Sequence, residues 1–310
     1  MRWPAKIGLT LVGLGIVAVG TGWVLSAPQR VSAETVAALD TGDAEAGRRI
    51  FFAAGCASCH SKPGLEGDAL LELLGGVRLT TAFGTFVAPN ISQHPTDGIG
   101  NWSVEDLANA MMKGVTPDGT HLYPAFPYTS YARMEPEDIA DLYAFLKTTP
   151  AVAGQAPPNE VGFPFNMRRG LGLWKQVNLS DAPVVALGDD ASEQVRLGQY
   201  LVEGPGHCGE CHTPRDVTGG SIKTQWLAGA IAAEGEGRIP NITPDGAVGG
   251  WSEADLVNYF ETGFTPDFDS VGGSMVEVQK NLAQLRAEDR EAIAAYLKAV
   301  PGRPNGYPAR

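Results

Sequence analysis

Hydrophobic and polar positions divide the chain unevenly. From Ile7 to Gln29 no residue carries a charge, and IGLTLVGLGIVAVGTGWVLSA is apolar on every helical face. At about 1.5 Å per residue, such a helix reaches across a hydrocarbon layer of ~30 Å. Beyond residue 33 the pattern changes to short amphipathic periods. Asp43 caps a predicted helix over 44–54 that runs into a first cysteine pair. Ser103 caps 104–113, with Glu105 and Asp106 in the favourable first turn and Gly114 closing it. Pro136 opens a helix in which Ile139, Leu142, Tyr143 and Leu146 recur at helical spacing. Helices over 191–202, 253–262 and 287–299 repeat the set. No stretch keeps strand alternation for more than a few residues. The expected fold is all-α, each half holding three to five helices with long loops.

Two readings fit residues 1–33. Arg2 and Lys6 before the apolar run, with Val31-Ser32-Ala33 after it, match a cleaved secretory signal. The length of the run and Trp23 near its outer end favour a retained membrane anchor, and Pro28 weakens cleavage after Ala27. Either way the positive end stays inside and the remainder is exported.

The chain also matches itself. Cys56-Ala57-Ser58-Cys59-His60 pairs with Cys208-Gly209-Glu210-Cys211-His212, and Pro89-Asn90-Ile91-Ser92 with Pro240-Asn241-Ile242-Thr243. Trp102-Ser103 pairs with Trp251-Ser252, Thr116-Pro117-Asp118 with Thr265-Pro266-Asp267, and DIADLYAFLKTTP with DREAIAAYLKAVP. Five landmarks in one order make a duplication. The expected domains are 43–150 and 191–301. Residues 151–190, with Pro157-Pro158, Phe163-Pro164-Phe165 and Trp174, read as an extended connector packed across both halves.

With 44% hydrophobic and 19% charged residues, the 310-residue chain has material for a core in each half. A net charge of −12 argues against nucleic acid and against a basic patch on anionic lipid. All four cysteines lie in the two Cys-x-x-Cys-His pentapeptides. Thiols at that spacing can add to the two vinyl groups of one haem, with the adjacent His under the iron. A thioredoxin-like pair would need a βαβ setting, and a zinc site would need the two pairs to converge. Two covalent haems are therefore expected, held by Cys56, Cys59 and His60, and by Cys208, Cys211 and His212.

Each half resembles a class I cytochrome c: helix, Cys-x-x-Cys-His, haem-covering loops and a last helix of the AYLKxxP kind. The whole exported part resembles the membrane-anchored dihaem cytochromes c related to cytochrome subunits of bacterial alcohol and gluconate dehydrogenases. PNIS/PNIT, GIGNWS, HLYPAFPYTSYARM and GGSM carry the likeness. It implies methionine as the sixth iron ligand. Met275, the only Met of the second half, sits in a glycine-flanked segment. In the first half the corresponding position is Phe126, a departure from the pattern, and Met134 is chosen ahead of His121. Asn90, Asn241, Trp102 and Trp251 are placed by the resemblance near the haem edge, with turn formation and packing as the plainer reading.

The resemblance implies an electron carrier rather than an enzyme. It would take electrons from a periplasmic dehydrogenase and pass them to a terminal oxidase or another cytochrome, at the periplasmic side of the inner membrane or free in the periplasm. A dihaem peroxidase, which needs a displaceable sixth ligand, is the alternative.

Overall fold

The computed structural model describes the backbone of residues 3–308 and the side chains of residues 11–308, in both cases apart from 236. Trp3–Leu25 (α1) and Ala33–Ala38 (α2) lead into the first repeat, which holds Ala44–Ala53 (α3), Cys56–His60 (α4), Val104–Lys113 (α5), Tyr128–Tyr131 (α6) and Pro136–Leu146 (α7). Gly170–Asn178 (α8) lies in the connector. The second repeat holds Glu193–Glu203 (α9), Gly209–His212 (α10), Glu253–Thr262 (α11), Met275–Leu282 (α12) and Ala287–Ala299 (α13). Strand is limited to two antiparallel hairpins among the described residues, Arg78–Thr81 (β1) with Gly84–Val87 (β2), and Ala230–Ile231 (β3) with Arg238–Ile239 (β4). The fold is mostly helical.

Local signals explain the helix ends. Asp43 Oδ1 accepts from the amides of Glu45 and Ala46 at the start of α3. Ser103 and Asp106 form a capping box on α5, and Ser252 and Asp255 repeat it on α11. Gly114 and Gly263 close those helices in the left-handed conformation.

In each repeat the first helix crosses the last. α3 packs on α7 and α9 on α13, and a glycine lies at each crossing. A Cβ on Gly47 would stand 1.9 Å from the Asp141 carbonyl oxygen, and one on Gly198 1.9 Å from that of Ala292. No larger residue lets these backbones approach so closely. Ile50, Phe51, Ile139 and Leu142 fill the first crossing and Leu201, Val202, Ile293 and Tyr296 the second, all buried.

The halves are joined by polar contacts as well as packing. Arg49 on α3 holds Asp289 on α13 through two hydrogen bonds of 2.8 and 2.6 Å. Asn281 on α12 donates to Ser58 Oγ at 2.9 Å, and Tyr200 on α9 donates to Asp138 on α7.

The connector is not wholly extended. Within it 170–178 forms α8, whose Lys175 Nζ donates to the Lys113 and Gly114 carbonyls at the end of α5, at 2.7 Å each. Further on, Val184 and Val185 donate their amides to Glu203 on α9. The N-terminal segment is tied in too, with the Val31 amide on Asn109 Oδ1 at 2.9 Å. From Leu11 to Leu25 the large apolar side chains of α1 are exposed. Among the described residues no helix is long and apolar enough to cross a membrane. The side chains of Arg2 and Lys6, the charged start of the expected anchor, lie outside the described residues.

Candidate functional site

Both cysteine pentapeptides form one short helical turn directly after a long helix. Gly55 before Cys56 is left-handed (φ 56°), and His207 takes the same place before Cys208 with φ 40°. No disulfide joins the four cysteines; Cys59 and Cys211 are exposed, Cys56 and Cys208 half-buried. Desolvation, then the neighbouring thiol, pushes Cys56 and Cys208 up to about 12.

The two histidines are held alike. His60 Nδ1 lies 2.8 Å from the Pro89 carbonyl oxygen, and His212 Nδ1 2.8 Å from that of Pro240. A carbonyl only accepts, so each Nδ1 carries the proton and donates it, which leaves Nε2 with its lone pair as a metal donor. Desolvation holds both imidazoles below their ordinary value, the carbonyl contact pulling weakly the other way. Thiols at Cys-x-x-Cys spacing beside an Nε2-presenting imidazole are the donor set a covalent haem requires. The residues fit the group in both repeats.

This assigns a role that the sequence motif carried without explanation. The proline of PNIS/PNIT supplies the carbonyl that orients the histidine. The asparagine beside it shapes the turn: Asn90 Oδ1 accepts from the Ser92 amide, while Nδ2 donates to the Val152 and Gly154 carbonyls. Asn241 does the same with Thr243 and Arg303. For these asparagines the geometry is that of turn formation.

The other candidates fall in different surroundings. Met134 is buried in the core between α6 and α7. Met275 is half-buried and opens α12 rather than sitting in a loop, because Met275, Val278 and Leu282 recur at helical spacing after the glycines. Phe126 stacks edge-on against Tyr131 at 5.4 Å. His121 is buried with both ring nitrogens occupied. Nδ1 accepts from Lys175 Nζ at 3.1 Å and Nε2 donates to the Ser26 carbonyl at 2.9 Å.

The two turns meet across the repeat boundary. The Ala54 carbonyl, two residues before Cys56, accepts from His207 Nε2 at 3.2 Å and from Tyr131 Oη at 3.4 Å. His207 in turn precedes Cys208 and packs edge-on against Tyr131. Desolvation and then the Glu210 carboxylate raise the Cys211 thiol, Arg215 pulling the other way. Glu210, inside the second pentapeptide, accepts from the Thr129 and Ser130 hydroxyls of α6 and pairs with Arg215. Burial opposes its ionisation, but Arg215 and the hydroxyls outweigh burial and hold it below the usual carboxylate range. In the sequence His207 stands out only by its place immediately before Cys208, opposite Gly55 in the repeat.

The Cytochrome c family matches residues 44–150. Over 301 residues, 97% of the chain, the sequence is 52% identical to a "Diheme cytochrome c-type" protein of Cereibacter sphaeroides and spans 99% of it. It is 35% identical over 260 residues to the fructose dehydrogenase cytochrome subunit of Gluconobacter japonicus. It is also 35% identical over 303 residues to the cytochrome c subunit of the quinone alcohol dehydrogenase of Gluconobacter oxydans. These matches cover 83% and 92% of the chain but 52% and 61% of the two subunits.

Proposed function

We propose that this chain, which belongs to the dihaem c-type cytochromes, relays single electrons from a periplasmic dehydrogenase to a respiratory acceptor, a terminal oxidase or another cytochrome. Two covalently bound haem c groups supply the redox chemistry, each iron accepting and releasing one electron. In this reading the units are 43–150 and 191–301. Cys56 and Cys59 hold the first group with His60 as iron ligand, and Cys208, Cys211 and His212 hold the second. Met134 and Met275 complete the two irons.

The meeting of the two cysteine turns at the Ala54 carbonyl carries this reading. A relay needs its two redox centres at a fixed, short separation, and one hydrogen bond from His207 links the segments that begin both turns. Arg49–Asp289 and Asn281–Ser58 hold the same boundary. The engagement of both His121 nitrogens supports Met134 over His121 as ligand. Thioether ligation at both irons favours a carrier over a peroxidase, because neither iron would keep a displaceable position. The relatives named as cytochrome subunits of dehydrogenases support a dehydrogenase as donor. The exposed apolar side chains of α1 from Leu11 to Leu25 support an anchor on the periplasmic side of the inner membrane.

The test uses the full-length holoprotein. A haem-stained denaturing gel and a pyridine haemochrome assay should give two covalent haems per chain, and hydrogen peroxide should not be turned over. Catalytic peroxide reduction would replace the carrier by the enzyme.

A further inference from the structure

We infer that the connector segment 163–177 is a second membrane contact, lying in the headgroup–acyl boundary beside the point where α1 leaves the bilayer. This rests on the reading of α1 as a retained anchor. Phe163 is 79% exposed, Met167 56% and Val177 82%, with Phe165 and Leu173 exposed beside them. Five large apolar side chains thus face outward within fifteen residues, where an ordinary surface scatters them singly.

The position of this face commits it to lipid. α8 is bound to the end of α1 itself. Arg169 donates to the Trp23 carbonyl at 2.6 Å and to Ser26 Oγ at 2.9 Å, with its guanidinium 4.3 Å from the Trp23 ring centroid. Gln176 donates to the Leu25 carbonyl at 3.2 Å. A Cβ on Gly172 would meet the Ser26 carbonyl oxygen at 2.2 Å, so the two backbones touch. Leu173 and Val177 flank the same α8 stripe that carries Arg169, Gly172 and Gln176. Hydrocarbon that covers α1 up to Trp23 therefore ends against Leu173 and Val177.

Composition agrees. No acidic residue falls between Glu160 and Asp181, although the chain has 35 Asp and Glu and a net charge of −12. The cations of the segment are turned inward, Arg168 onto the His121 carbonyl, Arg169 onto α1 and Lys175 onto the end of α5. The outward face is left apolar and neutral, so the contact works by burial of apolar area and not by attraction to anionic headgroups. Two points of attachment, a helix and a lateral face, would fix the orientation of both cytochrome units over the membrane.

The experiment reconstitutes the full-length holoprotein into phosphatidylethanolamine–phosphatidylglycerol vesicles doped with a phospholipid carrying a photoactivatable diazirine near the carbonyl end of its acyl chain. Labelled peptides are mapped by mass spectrometry after irradiation. Labelling of both α1 and 163–177, several-fold above the rest of the chain, is expected. Charging the face by Phe163→Glu with Val177→Glu should reduce label on 163–177 to background while α1 stays labelled and haem content is unchanged. Label on α1 with 163–177 bare would overturn this inference alone and give the face to a protein partner. A chain with α1 also bare would overturn the anchor reading first, and this inference with it.

Discussion

Replacing Arg49 by Met should destabilise the junction of the two halves by a predictable amount. Arg49 is 21% exposed and its partner Asp289 only 2%, with two short hydrogen bonds between them. Removing the guanidinium leaves a buried carboxylate whose nearest other cation is Arg286, 3.7 Å away but 67% exposed and screened by solvent. Breaking a buried pair from one side costs roughly 3–5 kcal/mol. Part of this returns, because Asp289 lies in the first turn of α13, where the helix dipole stabilises an anion by roughly 0.3–1 kcal/mol. The net expectation is about 2–4 kcal/mol, a fall in Tm on the order of 3–6 °C for a protein of this size. Thermal melts of Arg49→Met, Asp289→Leu and the double variant, followed by far-ultraviolet circular dichroism, measure it. The double variant should be more stable than Arg49→Met, since it leaves no charge stranded. An Arg49→Met protein within about 1 kcal/mol of the parent would show that the pair is no stronger than an exposed one.

Three further outcomes follow from buried polar groups and the proposed iron ligands. Glu203, 1% exposed, accepts from the Val184 and Val185 amides, Gln199 and the Tyr296 hydroxyl. Glu203→Leu strands those donors, should cost about 3–6 kcal/mol, and should raise hydrogen exchange at Val184 and Val185 before elsewhere. Burial pushes Lys175 down to about 7 from 10.5. Between those values the unfolded chain binds the extra proton, so stability should climb as pH rises through the window and stay flat below it. Urea midpoints measured across the window should show the climb in the parent and its loss in Lys175→Met. Finally, Met134→Ala should open the first haem to carbon monoxide and lower its potential. Met275→Ala should do so for the second haem, and His121→Asn for neither.

Most of the architecture was legible because it is written locally and written twice. Asp43, Ser103 and Ser252 are helix caps in sequence and in space, and α5, α11 and α13 begin and end where their signals stand. What escaped depends on partners far along the chain. α8 lies amid proline- and glycine-rich sequence, and its Lys175 finds acceptors at Lys113 and Gly114. The hairpins β1–β2 and β3–β4 are too short to show an alternation. α12 was hidden by the glycines before Met275, which read as loop. At the site, the cysteines and histidines were plain from spacing, whereas the Pro89 and Pro240 carbonyls that orient the histidines are backbone groups with no side-chain signature. His121 looked available as a ligand. Only the fold brings Lys175 and the Ser26 carbonyl to its two nitrogens.

A two-centre, one-electron relay is read out by a potentiometric titration of the full-length holoprotein with optical detection. Two one-electron steps from six-coordinate low-spin haems are expected, with the weak near-infrared band of methionine–iron coordination in the ferric state. Met134→Ala should move one step only, and Met275→Ala the other only. A single step, or a five-coordinate ferric haem that binds hydrogen peroxide in the unmodified protein, would contradict it.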